Sequence, residues 1–391
     1  MIQKGDYFVN DENICGRIKK MIVMDVRLDN FFAFKNFHIN MSYPKKIADS
    51  CIENEFLTGY PNFRYKKVMI LMGANATGKT SFGKMLMKIF NFMDKKEHER
   101  LTSGICDKTK KAFFSIDFVG EEDVLYRVET TVRPQQGEKY SVSDIDVQVR
   151  SVNILKRDSY ETCASRFEQT ESEQKSSYIE ELEKVDGLSW LFKYPNDELQ
   201  YGFFTSENEH RYLKILECVL RALDPSVLRV SKIESVKEAY VIETKSDSVI
   251  IQSGKKVDTD LLSSGTKAGI DVAEMVASII EEEYRFYYCD EKFSYIHSDI
   301  EKAFLAVMIE ALGENNQLFF TTHNTDILDM PLPKHSFVFL RKDVNNEEMP
   351  IACVSASSLL KRSTDSLKRA VENDLFSVAP ATDMIYEIME L

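Results

Sequence analysis

The sequence predicts an α/β fold with a parallel core sheet. Its C-terminal half alternates strand and helix through short links: Tyr284 to Cys289, Ile300 to Leu312, Leu318 to Thr322 and Phe337 to Leu340. Nearer the N-terminus, the all-apolar run Val68-Met69-Ile70-Leu71-Met72 has the character of a strand buried on both faces. Directly after it, Gly73-Ala74-Asn75-Ala76-Thr77-Gly78-Lys79-Thr80 fits G-x-x-x-x-G-K-[ST], and Phe82, Met85, Leu86, Ile89 and Met93 then recur at helical spacing. A strand, a glycine loop and a helix in that order make a phosphate-binding P-loop. Gly73 and Gly78 let backbone N–H groups turn toward an anion at a helix N-terminus, Lys79 suits the β and γ phosphates, and the Thr80 hydroxyl suits Mg²⁺.

The remaining elements follow in chain order. Residues 1–20 form a leader. Met21 to Met41 alternates apolar and polar positions in two runs around Asn30 to Asn36, which predicts a strand pair. Asp94 to Lys111 is charged, with Lys108, Lys110 and Lys111 expected on a solvated face. AFFSIDFV, DVLYRVETTV and DIDVQVRSVNIL predict further strands, and the polar stretch from Tyr160 to Lys184 an exposed helix or mobile insertion. HRYLKILECVLRALDPSV predicts a buried helix ended by Asp224-Pro225. YVIETKSDSVIIQS returns to a strand pattern, and the run from Leu261 to Glu283 predicts an amphipathic helix. The expected division is a core of residues 21–94 and 228–391 with strands and a helical subdomain inserted at 95–227.

Composition narrows the class. The chain has 391 residues, 43% hydrophobic and 29% charged. No apolar run reaches the ~18 residues of a membrane span, and the leader lacks the apolar core of a signal peptide, so a cytoplasmic protein with no membrane partner is expected. Seven scattered cysteines without a C-x-x-C pair point to reduced packing residues rather than a disulfide framework or zinc site. The net charge of −13 is opposite to that of proteins that coat phosphate backbones; a local basic groove and a basic protein partner both stay open.

A second group of residues bears on chemistry. The apolar strand before Asp290 and Glu291 delivers two carboxylates, one suited to a Mg²⁺ shell and one to orienting and deprotonating a water, although an exposed strand end looks the same. His323 ends the LFFTT strand, where ligand groups of open α/β sheets gather, and a histidine there can hydrogen-bond a γ-phosphate. LLSSGTKAG places small and hydroxyl residues at a second helix N-terminus.

In this order, the P-loop, Leu262-Ser263-Ser264-Gly265-Thr266, Cys289-Asp290-Glu291, His297-Ser298-Asp299 and Thr321-Thr322-His323 resemble the motif set of an ABC-type ATPase head of the RecF/SMC-like and OLD-like branch. The opening LDNFFAFKNFHINM is similar to that branch's starting hairpin, and LKRAVENDLFSVAP to the tail of its stand-alone members. The resemblance implies a P-loop NTPase fold: an ABC-ATPase head with a mixed sheet, an antiparallel β lobe and a helical insertion. It implies that Gly73, Asn75, Gly78, Lys79, Thr80 and Ser81 bind ATP, that Thr80 and Asp290 hold Mg²⁺, that Glu291 is the general base and that His323 is the switch histidine. Ser263, Ser264 and Gly265 would meet ATP held by a second subunit, giving a homodimer, or a larger oligomer, with nucleotides sandwiched between heads. Lys292 stands where a proline is common and Thr266 where a glutamine is, and no residue is assigned to the Q-loop.

The interval from Lys79 to Ser263 shows no sustained heptads, so no long coiled-coil arm is expected. The stretch after His323 is short for the TOPRIM nuclease of OLD proteins. The favoured function is therefore an ATP-driven switch acting through a separate effector or toxin protein, in an anti-phage defence or toxin-controlling system resembling the ATPase subunits of PARIS and Septu-like systems, with a phage-encoded trigger. The alternative is a nucleic-acid clamp or nuclease-associated ATPase using residues 95–260. A metabolic P-loop kinase would account for the P-loop but not for the later motifs in their order.

Overall fold

The computed structural model describes residues 20–47, 50–169, 177–185, 187–195, 209–236, 239–252, 255–256, 264–294, 296–362 and 365–377. At its centre is a six-stranded sheet in the order Ile351–Ser355, Phe337–Lys342, Val68–Met72, Gln317–Thr321, Phe286–Asp290 and Trp190–Lys193. All neighbours run parallel except the edge pair Phe337–Lys342 and Ile351–Ser355, so the sheet is mixed.

Side chains alternate across a strand, and here alternation divides the molecule into two layers. Met69, Leu71, Phe286, Tyr288 and Phe319 face the P-loop helix Lys79–Lys95 and the N-terminal strands. Val68, Ile70, Met72, Tyr287 and Phe320 face the helices Glu209–Leu223, Ser264–Ile280 and Ser298–Ala311. A continuous apolar strand is thus required wherever both faces are covered, and Val68–Met72 is buried at every position.

The N-terminal lobe is an antiparallel sheet in the order Phe37–Asn40, Ile22–Asp29, Ala112–Val119, Val124–Val132 and Ile145–Asn153. Gln317 stitches it to the core sheet. Its buried amide accepts from Val23 N at 3.0 Å and donates to the carbonyls of Val23 and Lys66, both at 3.1 Å. A third sheet, Val227–Lys232, Ala239–Thr244, Ser248–Gln252 and Lys255–Lys256, lies in the second layer beside the helix Glu209–Leu223.

Several sequence expectations are corrected. Within Tyr160 to Lys184, residues 170–176 lie outside the described ones, and among the rest Tyr160, Cys163, Phe167, Tyr178 and Leu182 are buried, because aromatic and aliphatic residues punctuate the polar sequence and pack under the lobe. The helix Ser264–Ile280 is enclosed almost all round rather than amphipathic; Asp271, Glu274 and Ser278 are buried with the apolar positions. Strands from within 95–227 enter both sheets: Ala112–Val119 pairs with Ile22–Asp29, and Trp190–Lys193 completes the central sheet. Cys51, Cys106 and Cys218 are exposed rather than packed, while Cys163 and Cys289 are buried.

One close approach fixes the P-loop helix on the sheet. Gly83 faces Tyr288, and a Cβ at Gly83 would lie 2.4 Å from the ring. Tyr288 is fully buried and its hydroxyl donates to the carbonyl of Lys79 at 2.8 Å, so the ring has no room to yield. Gly83→Ala is expected to destabilise the protein by about 1–3 kcal/mol, as overpacking does. Urea unfolding checks this, and an unchanged midpoint would contradict the contact.

Candidate functional site

The P-loop owes its shape to backbone that only small residues tolerate. Gly73 has φ 151° and Gly78 φ 102°. A Cβ at Gly73 would lie 2.5 Å from the carbonyl oxygen of Leu340, and one at Gly78 would lie 3.0 Å from Ile351 Cδ1. Ala76 takes a left-handed conformation between them at φ 62°, and Thr77 Oγ1 donates to the Ala74 carbonyl at 2.8 Å. Gly78 caps the helix that opens at Lys79, so Lys79, Thr80 and Ser81 occupy its first turn. Asn75 sits exposed on the loop's outer turn.

Parallel strands end on the same edge of a sheet, and that edge is where the carboxylates meet the loop. Thr80 Oγ1 donates to Asp290 Oδ2 at 2.6 Å, and Thr321 Oγ1 donates to Asp290 Oδ1 at 2.5 Å. Asp290 thereby ties the P-loop helix to two neighbouring strand ends. Burial pushes its carboxyl above the ordinary carboxylate range, against the pull of the two hydroxyl donors.

Glu291 follows in a left-handed conformation, φ 43°, uncommon for a non-glycine residue. Its N–H is held by the carbonyl of Thr321 at 3.2 Å and by Thr321 Oγ1 at 3.1 Å. The turn aims its side chain back at the loop, where Glu291 Oε1 is 3.2 Å from Lys79 Nζ and 4.0 Å from His323 Nδ1. Lys79 is 4% exposed, Glu291 22% and His323 53%, a gradient from the loop's interior to its open side. Lys79 Nζ also donates to the carbonyls of Gly73 at 2.7 Å and Ala74 at 3.1 Å.

The structure thus brings together Gly73, Gly78, Lys79, Thr80, Asp290, Glu291 and His323 from the loop and two strand ends. Ser263 lies outside the described residues; Ser264 opens the helix Ser264–Ile280, with Gly265 next in it. Sequence reasoning missed Thr321, which serves both Asp290 and Glu291, and Tyr288, whose hydroxyl meets the backbone of Lys79. The TT before His323 was the available signal for the first.

Sequence reasoning also missed a buried clamp around His323. Glu301, on the helix Ser298–Ala311, accepts from Thr322 Oγ1 at 2.8 Å and from Asn324 Nδ2 at 2.6 Å, so both neighbours of His323 are anchored to one carboxylate. Ser298 Oγ lies 3.1 Å from Asn324 Nδ2 and joins the same network.

The oxygen set of Thr80 and Asp290, a hydroxyl beside a carboxylate, is hard-donor chemistry that fits Mg²⁺ rather than a soft metal. Loop, carboxylate pair and histidine at one sheet edge define the P-loop α/β class, and the arrangement is the fold of an ABC-type ATPase head. No family model and no curated protein matches the sequence. Among solved structures, an SMC head bound to the C-winged helix domain of ScpA is similar over 86% of this chain and 99% of that one, at 13% identity and TM-score 0.50. An Smc head with an extended coiled coil, derived from Pyrococcus furiosus and bound to the C-terminal domain of ScpA, is 12% identical with TM-score 0.48, covering 87% and 98%. The recombination mediator RecF is 10% identical with TM-score 0.41, covering 86% and 99%.

The clamp has a pH signature. Burial, the largest influence, raises the Glu301 carboxyl above its ordinary 4.5. The native state then holds this proton more tightly than the unfolded chain, so Glu301 lowers stability as pH rises from 4.5 through the raised value. Glu301→Gln, neutral throughout, should therefore be more stable relative to wild type at about pH 7 than at about pH 4 by urea unfolding. An offset independent of pH would contradict this account.

Proposed function

We propose that this chain binds and hydrolyses ATP and acts as a nucleotide-dependent dimerising head. The observation that carries the reading is the convergence of Lys79, Thr80, Asp290, Glu291 and His323 on one sheet edge. Lys79 is engaged by two loop carbonyls and by Glu291; an incoming triphosphate competes for the same ammonium group. Phosphate oxygens would take over Lys79 and the inward N–H groups of the loop, which releases Glu291 from its ion pair. Glu291 then accepts the proton of a water whose oxygen attacks the γ-phosphorus, while the bond to the β-γ bridging oxygen breaks and ADP leaves with that electron pair. Mg²⁺, held by Thr80 and Asp290, would neutralise charge on the β and γ phosphates. His323, more exposed than the rest, stands on the open side as a hydrogen-bonding partner for the γ-phosphate.

The site is half of a composite one in this reading. Ser263, Ser264 and Gly265 of a second copy would close over the nucleotide, so ATP holds two heads together and hydrolysis releases them. The output would pass to a separate protein, an effector or toxin. A similar head seen with a ScpA domain supports a protein partner in outline, and the defence setting rests on the sequence resemblance. Among the described residues, Lys108, Lys110 and Lys111 are exposed, with Lys110 paired to Asp107 at 3.4 Å, and this does not favour a nucleic-acid clamp over the switch.

Glu291→Gln is expected to keep ATP binding, lower hydrolysis by about 10²–10⁴-fold and trap a head dimer. Phosphate release and native mass with ATP check both parts; undiminished hydrolysis would remove Glu291 from its role, and an ATP-independent mass would remove the dimer.

A further inference from the structure

Four buried charges lie next to the site without entering its chemistry. Lys292 Nζ donates to Asp271 Oδ2 at 2.7 Å, Lys193 Nζ donates to Glu274 Oε2 at 2.7 Å, and Lys193 lies 3.6 Å from Asp271 Oδ1. All four side chains are more than nine-tenths buried. Among the described residues two cations face two anions, which compensates their charge within this network. Compensation does not explain its presence, because well-packed apolar residues generally stabilise such a position as well or better.

Its placement is specific. Asp271 and Glu274 are three apart on the helix Ser264–Ile280 and share a face. Lys193 ends the edge strand Trp190–Lys193, and Lys292 directly follows Glu291. The backbone between Glu291 and Lys292 has little freedom. Glu291 is left-handed at φ 43°, its N–H is bonded to Thr321, and its carbonyl accepts from Ser294 N at 3.2 Å and Ser294 Oγ at 2.8 Å. A shift of the helix therefore reaches the Glu291 carboxylate through Asp271, Lys292 and a single peptide unit.

We propose that Asp271 and Lys292 are positioning residues that couple the helix opening at Ser264 to Glu291 in the same protomer. This rests on the nucleotide-sandwich reading above and adds its direction of control. When Ser263 to Gly265 of one protomer meet the nucleotide of the other, the helix moves Asp271, Lys292 follows, and the base of the first protomer is set for attack. Each site is then licensed by the occupancy of its neighbour.

The test uses the full chain with Mg-ATP. The double variant Asp271→Leu, Lys292→Met replaces the tie with apolar side chains. Its KM and melting temperature are expected to stay near wild type, and in the Glu291→Gln background it still dimerises with ATP, while kcat falls about 10–100-fold, as misplacement of a catalytic group does. Lys292→Arg, which keeps the buried charge, restores most of kcat. Asp271→Asn keeps the side chain's shape and gives a smaller fall in kcat at unchanged KM, a readout that survives if the double variant fails to fold. A kcat within about twofold of wild type in the variants that fold overturns the proposal. So does a fall of kcat in Asp271→Asn that is matched by an equal loss of ATP binding, which would make the network structural only; a lower melting temperature by itself follows from leaving buried Lys292 without its anion. Wild type that neither hydrolyses ATP nor dimerises with it would instead overturn the nucleotide reading, and the inference with it.

Discussion

The double hydrogen bond at Asp290 is the constraint on which the site depends. One oxygen accepts from Thr80 at the start of the P-loop helix and the other from Thr321 at the end of the central strand. Because the strand Gln317–Thr321 lies between Val68–Met72 and Phe286–Asp290, this carboxylate closes a bridge across three adjacent strands. Tyr288, two residues earlier, holds the same helix from below through Lys79. The phosphate-binding loop and the carboxylates are thus parts of one rigid edge, so their separation is set by sheet spacing rather than by flexible side chains.

That rigid edge explains why strain is tolerated beside it. Gly73, Ala76, Gly78 and Glu291 all depart from the common backbone regions, and Gly73, Gly78 and Glu291 are held by close neighbours. Gly73 is pressed against the Leu340 carbonyl of the next strand, and Glu291 is bonded twice to Thr321. Backbone strain of this kind persists only where surrounding structure over-determines it, and it concentrates where function needs a group aimed. The Lys79–Glu291 pair adds an electrostatic element: cation and carboxylate neutralise one another at the mouth of the loop.

Much of this edge was legible in the sequence. Val68 to Met72, the P-loop, the helix after it and the carboxylate pair all have local patterns whose period or motif survives folding. The six-stranded sheet was less visible at its margins. Trp190–Lys193 is four residues long and carries no alternation, because both of its faces are buried. The helix Ser264–Ile280 misled in the opposite way. Asp271, Glu274 and Ser278 mark a polar stripe that reads as solvent-facing, yet two of them meet lysines delivered from Trp190–Lys193 and from the residue after Glu291. Nothing local encodes a partner distant in the chain, so buried ion pairs and shared hydrogen bonds such as those of Glu301 emerge only in three dimensions.

In the proposed function a working site is assembled from two chains, the P-loop of one and the Ser263 to Gly265 segment of the other. Complementation tests it most directly. Lys79→Ala disables one half of every site and Ser263→Arg the other, so neither variant alone should dimerise with ATP. Mixed in equal amounts, they form a pairing in which one of the two sites has both halves intact, and an ATP-dependent heterodimer is expected by native mass. Two variants that stay monomeric with ATP when mixed would contradict a shared site and return the chemistry to a single chain.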